Sequence, residues 1–155
     1  MSPTAVFAAV AIAVVALVVA SQAQQPGPSS GMLLRAMADL ARCRMTTGVS
    51  EAELRQMFQA RQVPTSRPGK CLLACMAETY GVMEGGRFRP DNTLRLVDRL
   101  MASAPTSAQS AGRRALVQQV VYTCDSQVGG GGGGDACETA AALAECGMRY
   151  APRRG

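Results

Sequence analysis

Six cysteines, Cys43, Cys71, Cys75, Cys124, Cys137 and Cys146, are the residues of this 155-residue chain best placed to do chemistry. Thiols offer two kinds, disulfide formation and metal ligation. Zinc ligation is disfavoured, because the chain has no histidine and no Cys-x2-Cys knuckle. Nucleophilic or acid–base catalysis has no histidine to serve as base, and Ser, Asp and Glu are scattered without a recognisable motif. The expected chemistry is therefore oxidation of all six thiols. No enzymatic activity, cofactor or metal is expected.

The stretch that positions these cysteines is Gly69-Lys-Cys-Leu-Leu-Ala-Cys-Met-Ala-Glu-Thr-Tyr-Gly81. Lys70 to Tyr80 has no proline and no internal glycine. Leu72, Leu73, Met76 and Tyr80 form one apolar stripe at helical spacing. Cys71 and Cys75 lie one turn apart, where Cβ atoms are roughly 5–6 Å apart. A disulfide needs about 3.5–4.5 Å, so each cysteine is expected to reach a different segment. The helix becomes a central strut.

The compartment follows from the N-terminus. Ala5 to Ala20 carries no charge, and Ser21-Gln-Ala23 places small residues where a signal peptidase cuts. The apolar run is shorter than the roughly 20 residues of a spanning helix. Residues 1–23 are expected to be a signal peptide, and residues 24–155 one secreted domain. Six cysteines in such a domain imply three disulfides. The net charge of +5 comes from 16 basic and 11 acidic residues, with Lys70 the sole lysine. Solvated helix faces account for it, an acidic membrane surface or anionic ligand being the sharper alternative. Nucleic-acid binding is excluded, since no basic–aromatic interleaving provides stacking platforms.

The elements follow in order. Residues 24–31 form a turn-rich polar arm. Met32 to Met45 is helical, with Leu33, Met37, Leu40 and Ala41 on one face. Ser50 and Glu53 form a capping box that opens a helix to Ala60, burying Leu54, Met57 and Phe58. Val63 to Gly69 is a loop, because two prolines and a glycine oppose helix. Gly81 to Pro90 is a turn carrying Met83 and Phe88. Asp91 caps a helix over Asn92 to Ser103, Ala104 to Gly112 is a loop or frayed helix start, and Arg113 to Val128 is helical. Six glycines, Gly129 to Gly134, link it to a last helix over Asp135 to Tyr150. No alternating strand pattern is present. The fold class is all-α, about six helices stapled by three disulfides.

Six cysteines allow 15 pairings. The Cys71–Cys75 pair is disfavoured. Cys137 and Cys146 stand nine residues apart on one helix, roughly 13 Å along its axis, and cannot bridge. Each exclusion removes three pairings and they share one, so ten remain open on geometry alone.

The spacing Cys43-x27-Cys71-x3-Cys75-x48-Cys124-x12-Cys137-x8-Cys146 resembles the six-cysteine signature of insect odorant-binding proteins, the pheromone and general odorant-binding family. The words Lys70-Cys-Leu-Leu-Ala-Cys-Met, Gly81-Val-Met-Glu and Asp135-Ala-Cys-Glu-Thr-Ala fit as well. The resemblance spans Met32 to Tyr150, with a long third gap. It implies the pairing Cys43–Cys75, Cys71–Cys137 and Cys124–Cys146, and helices wrapped around an apolar ligand cavity. It implies a secreted carrier, in sensillum lymph or haemolymph, of small hydrophobic odorants or pheromones. Its partners would be that ligand and an olfactory receptor or membrane surface, and the chain would be a monomer or homodimer.

The candidate ligand-binding residues are Leu54, Met57, Phe58, Leu73, Met76, Tyr80, Met83, Phe88, Leu100, Leu116, Val117 and Val120. Without histidine, binding is expected to depend weakly on pH between 7.5 and 5.5. Three other classes compete: a cystine-rich inhibitor or interaction module with a filled core, a basic membrane-disrupting protein, and a non-olfactory lipid or hormone carrier of the same fold.

Overall fold

The computed structural model describes residues 30–102, 108–129 and 134–150. The expected signal peptide, residues 24–29 of the polar arm, residues 104–107 of the Ala104 to Gly112 loop, Gly130 to Gly133 and the tail lie outside them, while the arm's last two residues, Ser30 and Gly31, and residues 108–112 of the loop are helical. The described residues form six α-helices: α1 (Ser30–Thr47), α2 (Glu51–Gln59), α3 (Arg67–Thr79), α4 (Pro90–Met101), α5 (Ala108–Cys124) and α6 (Ala136–Tyr150). A π-turn over Asp125–Gly129 extends α5.

Local chemistry explains the helix starts. Ser50 accepts the Glu53 N–H at 3.1 Å and caps α2. The expected reciprocal half of the capping box is replaced by a longer link. Both Glu53 carboxylate oxygens accept from the Ser66 hydroxyl, at 2.5 and 2.6 Å. Ser66 accepts the Gly69 N–H at 3.0 Å and caps α3. The loop expected to reach Gly69 therefore ends at Ser66. Pro68 stands in the first turn of α3, where its missing N–H leaves no helical bond unmade. Pro90 does the same in α4, so Asp91 lies in the first turn and is not the cap. Asp135 accepts from the Cys137 and Glu138 N–H groups, at 2.8 and 3.4 Å, and caps α6.

The turn after α3 contains a short antiparallel hairpin, β1 (Met83–Glu84) and β2 (Arg87–Phe88), with Met83 opposite Phe88. Two residues per strand are too few for a sequence period to reveal. Gly85 and Gly86 turn it with φ of 56° and 76°, which only glycine adopts freely at two successive positions. The hairpin drives Met83 into the interior, where it is 1% exposed.

Helix α3 is the strut. It packs most extensively on α6 and next on α1. Disulfides join Cys43 to Cys75, Cys71 to Cys137 and Cys124 to Cys146, fixing α1 to α3, α3 to α6 and α5 to α6. This is the pairing that the resemblance implies. One core cluster gathers Cys43, Val49 and Leu72, with Leu40, Leu54, Met57 and Met76 against it. A second gathers Ala74, Met83 and Ala140, with Leu73, Ala77 and Leu143 around it. At the rim, Lys70 Nζ meets the Glu138 carboxylate at 2.9 Å, and Arg67 pairs with Asp135.

Candidate functional site

The helices leave apolar hollows that are partly open to solvent. Two apolar pockets lie on either side of Leu73 and Ala144, which border both. The first, about 310 Å³, is lined by Leu73 and Ala77 of α3, Val82, Met83 and Phe88 of the hairpin region, Thr93 of α4, Val120, Val121 and Cys124 of α5, and Ala140, Leu143, Ala144 and Gly147 of α6. The second, about 490 Å³, lies between Leu40 of α1, Met57 and Phe58 of α2, Leu72, Leu73 and Met76 of α3, and Ala144 and Met148 of α6. Arg61, Gln62, Val63 and Pro64, in the segment leaving α2, complete it.

The space exists for a sequence reason. Helix α6 reads Ala-Cys-Glu-Thr-Ala-Ala-Ala-Leu-Ala-Glu-Cys-Gly-Met. Where it faces the pockets it offers Ala140, Ala144 and Gly147 alongside Leu143 and Met148, and the three small residues leave space that larger side chains would fill. Facing helices are held at fixed separations by two disulfides to α6, so collapse onto the small residues is restrained. The linings are almost wholly hydrocarbon and thioether, and flexible methionines let such walls adapt to an occupant.

Of the twelve candidate residues, Met57, Phe58, Leu73 and Met76 border the second pocket, and Leu73, Met83, Phe88 and Val120 the first. Leu54, Tyr80, Leu100, Leu116 and Val117 border neither. Leu54 packs against the Cys43–Val49–Leu72 cluster. The Tyr80 hydroxyl points the other way and donates to Asp39 Oδ2 on α1 at 3.3 Å. Burial, and then that bond, raise its pKa above the ordinary 10.0. Leu100 is 48% exposed and Leu116 37% exposed, so both lie on the outer faces of α4 and α5. Val117 is half-buried on α5. The reading of stripes alone could not tell which side of a stripe meets a void. The residues it missed are chiefly those of α6 and of Arg61 to Pro64. Small side chains on α6 were the available signal, since a helix rich in alanine and glycine fills space poorly.

No polar group in either pocket is arranged for bond-breaking chemistry. Among the described residues, no group of three or more Cys, Asp or Glu is placed to hold a metal ion. Among those same residues, no helix is long and apolar enough to cross a membrane. The geometry supports reversible uptake of an apolar molecule.

A family model described as the PBP/GOBP family matches residues 32–150. No curated protein sequence matches the chain significantly. Among solved structures, the odorant-binding protein dmelOBP28a of Drosophila melanogaster is 20% identical with a TM-score of 0.56, over 76% of this chain and 90% of that one. The fatty acid binding protein OBP56a from the oral disk of the blowfly Phormia regina is 15% identical with a TM-score of 0.56, over 80% of this chain and 95% of that one. At these identities the two structures are similar to this chain in fold.

Proposed function

The chain belongs to the PBP/GOBP family, and on that premise we propose that it carries small hydrophobic molecules, odorants or pheromones, through extracellular fluid to receptors. The observation that carries the reading is the pair of apolar pockets meeting at Leu73 and Ala144 inside a disulfide-stapled helical shell. Secretion is part of the same proposal. Residues 1–23 are removed on export, and the oxidising compartment beyond keeps the three bridges closed.

Energetics favour a carrier that also releases. A ligand that buries about ten methylenes gains roughly 8 kcal/mol at about 0.8 kcal/mol each. That corresponds to a dissociation constant near micromolar. Hydrocarbon walls discriminate by size and shape more than by hydrogen bonding, so a range of ligands fits.

Displacement of a fluorescent apolar probe from the oxidised protein tests this. Medium-chain alcohols and aldehydes are expected to displace it competitively, with saturation near one site per chain. A correctly folded, three-disulfide protein that takes up no probe would have a filled interior in solution. The reading would then give way to a protein-interaction module.

A further inference from the structure

Two residues border both pockets, Leu73 of α3 and Ala144 of α6. They stand on the two helices that pack most extensively on each other. Ala144 contributes a single methyl to the shared boundary. The larger part of it is the isobutyl group of Leu73, with a chamber of about 310 Å³ on one side and one of about 490 Å³ on the other.

The disulfides add an independent observation. Cys71 and Cys75 stand two residues before and two residues after Leu73, and are bridged to Cys137 of α6 and Cys43 of α1. Cys146 stands two residues after Ala144 and is bridged to Cys124 of α5. The backbone on both sides of the boundary is therefore tied to its neighbours, and the helices are restrained from parting to open a passage. Leu73 also packs against the cluster of Ala74, Met83 and Ala140. A chain threading from one chamber to the other must push the isobutyl group into that cluster, and overpacking a filled region is unfavourable. Passage depends on the size of one side chain.

We infer that Leu73 is a partition that sets the longest aliphatic chain the protein accommodates, making it a specificity-determining residue for ligand length. This rests on the carrier reading and narrows its ligand class to chains that fit one chamber. Hydrocarbon gains free energy only where it leaves water. Carbons beyond the length of the occupied chamber stay in solvent and add nothing. A smaller residue at position 73 would join the two chambers into one elongated cavity, bordered at its far end by Val120, which belongs to the first pocket alone.

The test is a series of straight-chain alcohols, hexanol to tetradecanol, competing with a fluorescent apolar probe on the oxidised protein. In the parent, affinity should rise about fourfold per added methylene and then level off within the series. In Leu73→Ala the rise should continue to longer chains, so that tetradecanol binds about fifteenfold more tightly than to the parent, the value of two further buried methylenes. Hexanol affinity should be unchanged. Leu73→Val disturbs the packing less, and should show a smaller shift in the same direction if Leu73→Ala does not fold. Leu73→Ala/Val120→Phe, which fills the first chamber, should restore the parent's limit. A parent series that never levels off, variants with the parent's limit, or an extension that survives Val120→Phe overturns this inference and leaves the carrier reading standing. Failure of the probe and of every alcohol to bind the parent overturns both.

Discussion

Gly69 provides the sharpest test of how the site is built. It stands in the first turn of α3, where alanine would ordinarily stabilise a helix by about 1 kcal/mol. Here the opposite is expected. A methyl group on Gly69 would collide with Pro64 Cβ and lie 2.6 Å from Glu53 Oε1. Overpacking of this kind costs about 1–3 kcal/mol. Relieving it by moving Glu53 strains the Ser66–Glu53 hydrogen bonds, and bonds to a charged group are worth about 1.5–3 kcal/mol. Set against the helical gain, Gly69→Ala should destabilise by about 2–4 kcal/mol, lowering the melting temperature by roughly 10 °C. Thermal and urea unfolding of the oxidised protein measure this. Glu53→Ala/Gly69→Ala should cost less than the sum of the single changes, because the two residues share one space. Since Pro64 is a wall of the second pocket, Gly69→Ala should also weaken probe binding there. A variant as stable as the parent, or more so, would refute the close approach of the Pro64 loop to α3.

Three further outcomes follow. Replacing Cys71 and Cys137 together by serine opens a bridge of sequence separation 66; the chain-entropy model gives a loss of about 4 kcal/mol in unfolding experiments, and an unchanged midpoint would remove the bridge from its structural role. Ala144→Leu puts three methylenes into space bordering both pockets, so it should stabilise by about 2 kcal/mol while abolishing probe uptake; lost stability would mean that the site was already filled. Binding and stability should be flat between pH 7.5 and 5.5. The salt-bridging hydrogen bonds from Arg114 to Asp98 and from Arg67 to Asp135 lower both carboxyl pKa values below the ordinary 3.8. Their contribution is complete above that value and is lost only as pH falls through the lowered ones. Tyr80, raised above 10.0, alters stability only in alkali. A steep change in a binding titration between 7.5 and 5.5 would contradict this account.

The cysteines made the helical frame legible in the sequence, since their spacing named the strut and the resemblance named the fold. Helix starts marked by Ser50 and Asp135 were legible because a cap is a local event. Where the reading of Pro68 as a breaker fell short, the reason was also local: a proline in the first turn breaks nothing. The hairpin was hidden by its two-residue strands. The site was less legible than the frame. Apolar stripes identify residues that leave water, but Leu54 and Met57 both pack against the Cys43–Val49–Leu72 cluster and only Met57 also borders a pocket. That difference depends on what faces each residue from another helix. Gly69 shows the same limit, for its role is set by Pro64 and Glu53 and not by its immediate neighbours.

A poorly filled interior is a standing cost, because each void forfeits contacts that a packed core would make. Natural chains remove such voids with larger side chains unless something else holds the walls apart. In this chain covalent bonds tie together the helices that border the pockets. Cys71–Cys137 and Cys124–Cys146 anchor α6 to α3 and α5, and Cys43–Cys75 anchors α1 to α3. The aromatic residues, few in number, are not spent on filling: Phe58 is 64% exposed, although one side of it borders the second pocket. The bridges lower the entropy of the unfolded chain and so offset stability that the pockets forgo. On this view the small residues of α6 and the cysteines that flank them belong to one device. Alanine and glycine without the bridges would let the helices close, and bridges with leucine in their place would give a tighter protein that holds no ligand.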